Sequence, residues 1–202
     1  MKRLVFIFAI FLSVSSFSAD NVKKLEVGEK AVLTEVKMKD VSGELVSLSD
    51  ALKENGLLVL FSCNQCPFVL RWESRYNGIK EWADKNKVGM IVLNSNYQKR
   101  NSDDSYEAMQ AKAKEKAYRF NYVVDKESVL ANAFGGQTTP HAFLFDGDLK
   151  LAYKGAIDDS YESAEGVKEA YLKNAIANLG AGEQVAVTET KPVGCGIKRK
   201  VD

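Results

Sequence analysis

Six consecutive residues, Gly56-Leu57-Leu58-Val59-Leu60-Phe61, are apolar without a break. Such a run reads as a strand buried on both faces, and it needs structure packed above and below it. Val88 to Leu93 repeats the pattern, and Tyr122-Val123-Val124 is a shorter strand. Between them lie segments of helical period. Phe68, Val69, Trp72, Tyr76, Ile79, Trp82 and Ala83 share one helix face, and Pro67 suits the first turn, where its missing N–H has no partner to lose. Asp104 followed by Glu107 has the pattern of a capping box, for a helix with Met109, Ala113 and Ala117 inward. Asp125 is placed to cap a helix from Ser128 to Phe134 that Gly135 ends. Strands alternating with helices give parallel pairs joined by crossovers.

Other segments extend this unit. Leu25 to Leu52 alternates loosely around the turn Asp40-Val41-Ser42-Gly43 and predicts a hairpin and a short turn of helix. Ala142–Phe145 and Leu149–Tyr153 flank Asp146-Gly147-Asp148 as a second hairpin, adding antiparallel strands to the sheet. A last helix is expected from about Ala164 to Leu179, stopping at Gly180. The tail beyond it has no clear period. A length of 202 residues suits one domain with extensions. With 28 basic and 27 acidic residues, scattered along the chain, nothing steers it toward nucleic acid or an anionic membrane.

The first residues are of a different kind. MKRLVFIFAIFLSVSSFSAD has a basic start, an apolar run from Leu4 to Leu12 and small polar residues after it. That is the layout of a secretory signal peptide, and the apolar run is far short of the roughly 20 residues that span a bilayer. The expectation is a signal peptide over 1–19, a folded domain over 20–180 and a tail over 181–202 that carries Cys195. The mature chain would be exported, periplasmic or secreted, with no stable membrane span. Disulfides persist in such compartments.

Cys63-Asn64-Gln65-Cys66-Pro67 follows the first buried strand and opens the first long helix. With Cys63 at the helix N-terminus, the free N–H groups and the helix dipole would favour its thiolate, lowering a pKa that is ordinarily ~8.5 to roughly 3.5–7.5. Cys66, one turn later, can close the ring. Cys63 would then attack a partner disulfide and Cys66 would resolve the mixed disulfide. Two other readings compete. A zinc site ordinarily needs four ligands, and beyond this pair the chain has one cysteine and one histidine. An inert bridge over so short a loop constrains the unfolded chain little. No metal and no cofactor is expected.

The chain resembles the thioredoxin-like superfamily, and within it the peroxiredoxin-like, AhpC/TSA-related branch whose members carry a thioredoxin-type C-x-x-C. The likeness spans roughly Leu25 to Leu179. It rests on the cysteine pair, on Gln137-Thr138-Thr139-Pro140 and on Lys191-Pro192-Val193-Gly194-Cys195-Gly196-Ile197-Lys198. It implies an α/β fold of thioredoxin type: a mixed central sheet flanked by helices, an N-terminal β-hairpin extension and an irregular C-terminal tail. It also implies a cis proline at Pro140 beside the cysteines, with Thr139 offering its backbone to an extended substrate strand. His141 becomes a candidate to tune Cys63 or assist proton transfer, against the plainer reading of a structural hydrogen bond. Cys195 becomes a candidate third redox thiol, against a merely buried or surface thiol.

The chain also departs from its relatives. Peroxiredoxins have threonine three residues and proline seven residues before the reactive cysteine; counted from Cys66, these are Cys63 and Val59. Thioredoxin has tryptophan just before its first cysteine and a buried aspartate six before it; here Ser62 and Leu57 stand there, leaving Glu73 or Asp40 as substitutes. The expected activity is thiol–disulfide exchange with protein thiols and disulfides, leaning toward reductase or isomerase, with a separate redox partner supplying or accepting electrons. Alternatives are a thiol peroxidase using Cys66 and a copper carrier using Cys63, Cys66 and His141.

Overall fold

The computed structural model describes residues 24–200. The expected signal peptide lies outside them. The chain begins with β1 (Met38–Asp40), β2 (Leu45–Val46) and α1 (Leu48–Ala51), the expected hairpin and turn of helix. Then come β3 (Gly56–Ser62), α2 (Pro67–Trp72), α3 (Tyr76–Lys85), β4 (Val88–Asn94), α4 (Tyr106–Glu115), β5 (Asn121–Val124) and α5 (Val129–Phe134). β6 (Thr138–Thr139), β7 (His141–Phe145), β8 (Leu151–Gly155), α6 (Tyr171–Gly180) and β9 (Cys195–Gly196) complete it.

Seven strands form one mixed sheet in the order β2-β1-β5-β4-β3-β7-β8. β3 lies at its heart, parallel to β4 and antiparallel to β7. Its side chains alternate between two cores, as the period of two requires. Leu58 and Leu60 face Val69, Trp72, Tyr76 and Ile79 of α2 and α3, with Leu172 and Ile176 of α6. Leu57, Val59 and Phe61 face Leu130 and Phe134 of α5 and Leu25 of the N-terminal segment. Phe61 meets Phe143 and Phe134 edge-on at 5.5 and 6.1 Å between ring centres. Full burial of each such side chain is worth about 1.5–3 kcal/mol, so this strand holds both layers to the sheet.

Three elements differ from the sequence expectation. The first long helix is broken by a 3₁₀ turn at Glu73–Arg75. There Arg75 turns to Asp158 Oδ2 at 2.6 Å, and Trp72 Nε1 donates to Asp158 Oδ1. The cap of α4 is Ser105, whose hydroxyl accepts the Ala108 N–H, while Ala117 lies beyond the helix and is exposed. The last helix begins at Tyr171, not near Ala164. The preceding residues are spent on the core edge instead: Tyr161 packs edge-on against Phe68 and Trp72, and Ser160 and Ser163 close a turn.

Register then gathers the site. Phe61 of β3 pairs with His141 of β7, and Ser62 of β3 pairs with Asn94 of β4. The carboxyl ends of β3 and β4 and the start of β7 therefore meet at one edge of the sheet. Loops that follow parallel strands converge on such an edge, which is where open α/β sheets bind ligands.

Candidate active site

Both cysteines of the pair are buried at this edge, and both reach Thr139. Cys63 Sγ is 3.3 Å from Thr139 Oγ1, and Cys66 Sγ is 3.1 Å from the Thr139 carbonyl oxygen. The Thr139–Pro140 peptide is cis, as expected. The helix N-terminus, however, belongs to the second cysteine. α2 starts at Pro67, so Cys66 is its N-cap and Cys63 sits a turn before it. The sequence expectation had put Cys63 there. A proline fits only after the cap, because it has no N–H to offer the helix ladder.

The charge follows that shift. The Cys63 thiol faces Cys66, and this contact is the main cause that lowers the Cys66 pKa to about 4. Burial opposes it, while Cys195 and the Val69 N–H of the first turn of α2 add to it. The Thr139 carbonyl favours the protonated form, to which it is an acceptor. Cys63 moves the other way: its contact with the Cys66 sulfur, then burial, then the Asp104 carboxylate all hold its proton on. The two directions are opposite: Cys66 is the more acidic thiol of the pair, and Cys63 holds its proton more tightly.

Asn64, between the cysteines, is 2% exposed and has every polar group occupied. Its N–H donates to Asp104 Oδ1 at 2.7 Å, its Nδ2 to the Asp103 carbonyl, and its Oδ1 accepts the Tyr122 hydroxyl. Its carbonyl accepts Lys112 Nζ at 2.7 Å, and Lys112 also pairs with Glu73. Gln65 alone points outward. Asp104, expected as a helix cap, is in fact the anchor of this loop. Besides Asn64 it accepts Asn94 Nδ2 and Asn96 Nδ2. The signal that could have found it is topological, since residues after β4 must lie beside those after β3.

The two substitute acids do not serve the pair. Glu73 is taken by Lys112 and Lys116. Asp40 accepts Tyr122 N–H and Ser42 N–H, closing the hairpin turn of β1. His141 also lies apart. Alternation along β7 puts it on the face of Phe143, against which its ring packs at 4.6 Å, and its Nδ1 accepts the Gln137 N–H. Cys63 and Cys66 belong to the core on the opposite face. The structural hydrogen bond is therefore the reading that holds for His141.

Burial, then the nearby Lys154, push the His141 pKa down to about 3. An unfolded histidine titrates near ~6.5, so below that pH the unfolded chain takes up a proton that the folded chain refuses. Stability should fall as pH drops from about 6.5 toward 3. Urea unfolding at pH 7 and pH 5 should show this loss, and His141→Gln should reduce it. An equal loss in both proteins would remove His141 as its source.

The tail is the element that sequence left undefined. It runs back along β8, where Thr190 N–H donates to the Lys154 carbonyl. Its strand β9 then pairs antiparallel with β6, Cys195 opposite Thr139 and Gly196 opposite Thr138. The Thr139 edge expected to receive a substrate strand is thus occupied by the chain's own tail. A cavity of about 180 Å³ opens between them, lined by Cys63, Cys66, Thr139, Cys195, Lys99 and Lys198. Among the described residues no group of three or more histidine, cysteine or acidic side chains is arranged to hold a metal ion. No described helix is long and apolar enough to cross a membrane.

The model of the AhpC/TSA family matches residues 27–154. No curated protein matches the chain at comparable stringency. Among solved structures, an uncharacterized conserved protein from Geobacillus kaustophilus is 28% identical with a TM-score of 0.80, over 88% of this chain and 94% of that one. A hypothetical protein from Sinorhizobium meliloti is 27% identical with a TM-score of 0.80, over 89% and 98%. A peroxidoxin from Mycobacterium tuberculosis is 16% identical with a TM-score of 0.58, over 78% and 97%, a likeness of fold.

Proposed function

The chain belongs to the AhpC/TSA family, in the peroxiredoxin-like branch of the thioredoxin-like superfamily, and on that premise we propose that it is a thiol–disulfide oxidoreductase whose redox couple is Cys63–Cys66. The observation that carries this reading is geometric: the cysteine pair sits between a buried strand and a helix N-terminus, with Cys66 as the cap residue. Both sulfurs lie at the end of a buried strand and reach one residue, Cys63 Sγ at the Thr139 hydroxyl and Cys66 Sγ at the Thr139 carbonyl oxygen.

Cys66 is the attacking group under this reading. Its thiolate attacks one sulfur of a partner disulfide, the partner S–S bond breaks, and one partner thiolate leaves. That step removes the negative charge from Cys66. The contact that most strongly kept the Cys63 proton on is then gone, so Cys63 gives up its proton to the departing thiolate. Cys63 next attacks Cys66 Sγ, the Cys66–partner bond breaks as a Cys63–Cys66 bond forms, and the second partner sulfur leaves as a thiolate that takes its proton from water. Two electrons pass to the partner, and a separate reductant must return them. Asn64, locked by Asp104 and Lys112, keeps the loop in register through both steps. We also place the mature protein outside the cytosol, on the layout of residues 1–19.

The test is a glutathione redox titration with alkylation and mass-spectrometric mapping. It should give one two-electron couple joining Cys63 and Cys66. A potential near roughly −270 mV would make the protein a reductant, and one near about −120 mV an oxidant. No reversible couple would sink the proposal. The low pKa of Cys66 favours a second reading, a thiol peroxidase in which Cys66 attacks peroxide. Peroxide consumption that survives Cys63→Ser but not Cys66→Ser would establish that instead.

A further inference from the structure

The tail is anchored on both sides of Cys195. Ile197 is buried in the core below Phe61, and its N–H donates to the Gln137 carbonyl at 3.1 Å. Lys198 N–H donates to Asn96 Oδ1 at 2.9 Å, and the Lys198 carbonyl accepts Gln98 N–H. Before Cys195, Gly194 passes so close to Thr139 that a Cβ on it would stand 2.3 Å from the Thr139 carbonyl oxygen. Only glycine permits that approach. The result is a short strand that cannot drift from β6, with Cys195 opposite Thr139. Cys195 packs on the core that holds Cys63 and Cys66 and lines the same cavity. The Thr139 carbonyl that contacts Cys66 Sγ therefore belongs to the residue directly across from Cys195.

We propose that Cys195 is a third redox thiol, held by the tail strand against Cys66, which resolves mixed disulfides on Cys66 by forming a Cys66–Cys195 bridge. The inference rests on the reading that Cys66 is the attacking thiol. In the step, the bond between Cys66 Sγ and the partner sulfur breaks and a bond between Cys66 Sγ and Cys195 Sγ forms. The proton of Cys195 goes to the released partner sulfur. Cys66 and Cys195 together lose two electrons, and the two partner sulfurs gain them. Cys63 can then exchange into the bridge and free Cys195. In the reduced protein Cys195 keeps its proton, because burial and the neighbouring Cys66 charge push its pKa up to about 11. The charge on Cys66 vanishes once the mixed disulfide forms, so Cys195 is released to react only at that stage.

The experiment uses the full chain with Cys63→Ser, so that Cys66 and Cys195 are the remaining thiols. Oxidised glutathione is added, the reaction is quenched with acid and alkylating reagent, and the bonds are mapped by mass spectrometry. The expected product is a Cys66–Cys195 bridge with glutathione released. In Cys63→Ser/Cys195→Ser, the glutathione on Cys66 should persist at least about 100-fold longer, since the resolving thiol is no longer held in place. Equal persistence in the two variants overturns the proposal. Failure of Cys66 to take up glutathione in the double variant overturns the reading beneath it as well, so the two failures are distinct. Cys63→Ala serves as the second variant if a hydroxyl at that buried position prevents folding.

Discussion

Replacement of Cys66 by serine should abolish reduction of a chromogenic aryl disulfide, lowering kcat/KM by about 1000-fold or more, the scale on which loss of a nucleophile acts. Cys63→Ser behaves differently. It should still attack the disulfide once, giving a burst of the first aryl thiol, and Cys195 should then release the second. The contrast follows from which sulfur carries the charge. The thiolate is the attacking form, and Cys66, whose pKa is lowered, is the more acidic thiol of the pair. The pH profile separates this from an ordinary thiol. Attack by Cys66 in the wild-type chain should stay nearly flat from pH 8 to pH 5 and fall as the thiolate protonates near 4. A thiol of ordinary pKa, near ~8.5, loses about tenfold per pH unit below that value. If Cys63→Ser were inert and Cys66→Ser gave the burst, the roles would be those read first from the sequence.

That first reading shows how far the sequence reaches. The apolar run of β3 and the cysteines after it are local patterns, and so is the turn at Asp146-Gly147-Asp148. Each is decided within a few residues, so each could be read directly. The assignment of Cys63 to the helix N-terminus failed by three residues, although the clue was present. Pro67 is a first-turn residue, so the cap had to be the residue before it. His141 was drawn toward the pair by its place beside Pro140, yet alternation along β7 sends it to the face of Phe143. That too was legible in the period of the strand.

Other features lie beyond local pattern. Asp104 and Ser105 both stand where a cap belongs, and propensity does not choose between them. Three donors from outside the helix claim Asp104 and leave the cap to Ser105. The pairing of Cys195 with Thr139 joins segments far apart in the chain, and a two-residue strand carries no periodicity. Lys198 and Ile197 read as tail, but their backbone groups are spent on Asn96 and Gln137. Only the assembled sheet edge shows why those partners were vacant.

Asp104→Ala should destabilise the fold by about 3–5 kcal/mol, the scale of three buried donors left without their acceptor less what relaxation recovers. Asp104 is 2% exposed and accepts from Asn64 N–H at 2.7 Å, Asn94 Nδ2 at 2.7 Å and Asn96 Nδ2 at 3.0 Å. Alanine leaves all three donors buried without that acceptor, and each such loss costs roughly 1–3 kcal/mol before water or rearrangement recovers part of it. Asp104→Asn is the milder change. Its amide oxygen can keep the Asn64 and Asn94 donors, but its NH₂ then faces the NH₂ of Asn96. Asn96 cannot turn its amide over without losing Lys198 N–H, which its oxygen accepts. The cost should be about 1–2 kcal/mol, one unmade buried hydrogen bond. The asparagine variant also removes the negative charge that helps keep Cys63 protonated, so its Cys63 thiol should titrate lower. Urea unfolding of the reduced proteins gives the stabilities, and alkylation against pH gives the thiol. An alanine variant within about 1 kcal/mol of wild type would mean that water replaces the carboxylate. The contacts from Asp104 through Asn96 to Lys198 give the loss a second site of action. Loosening Asn96 should free the tail strand, so the cysteine loop and the Cys195 strand should lose their protection from hydrogen exchange together.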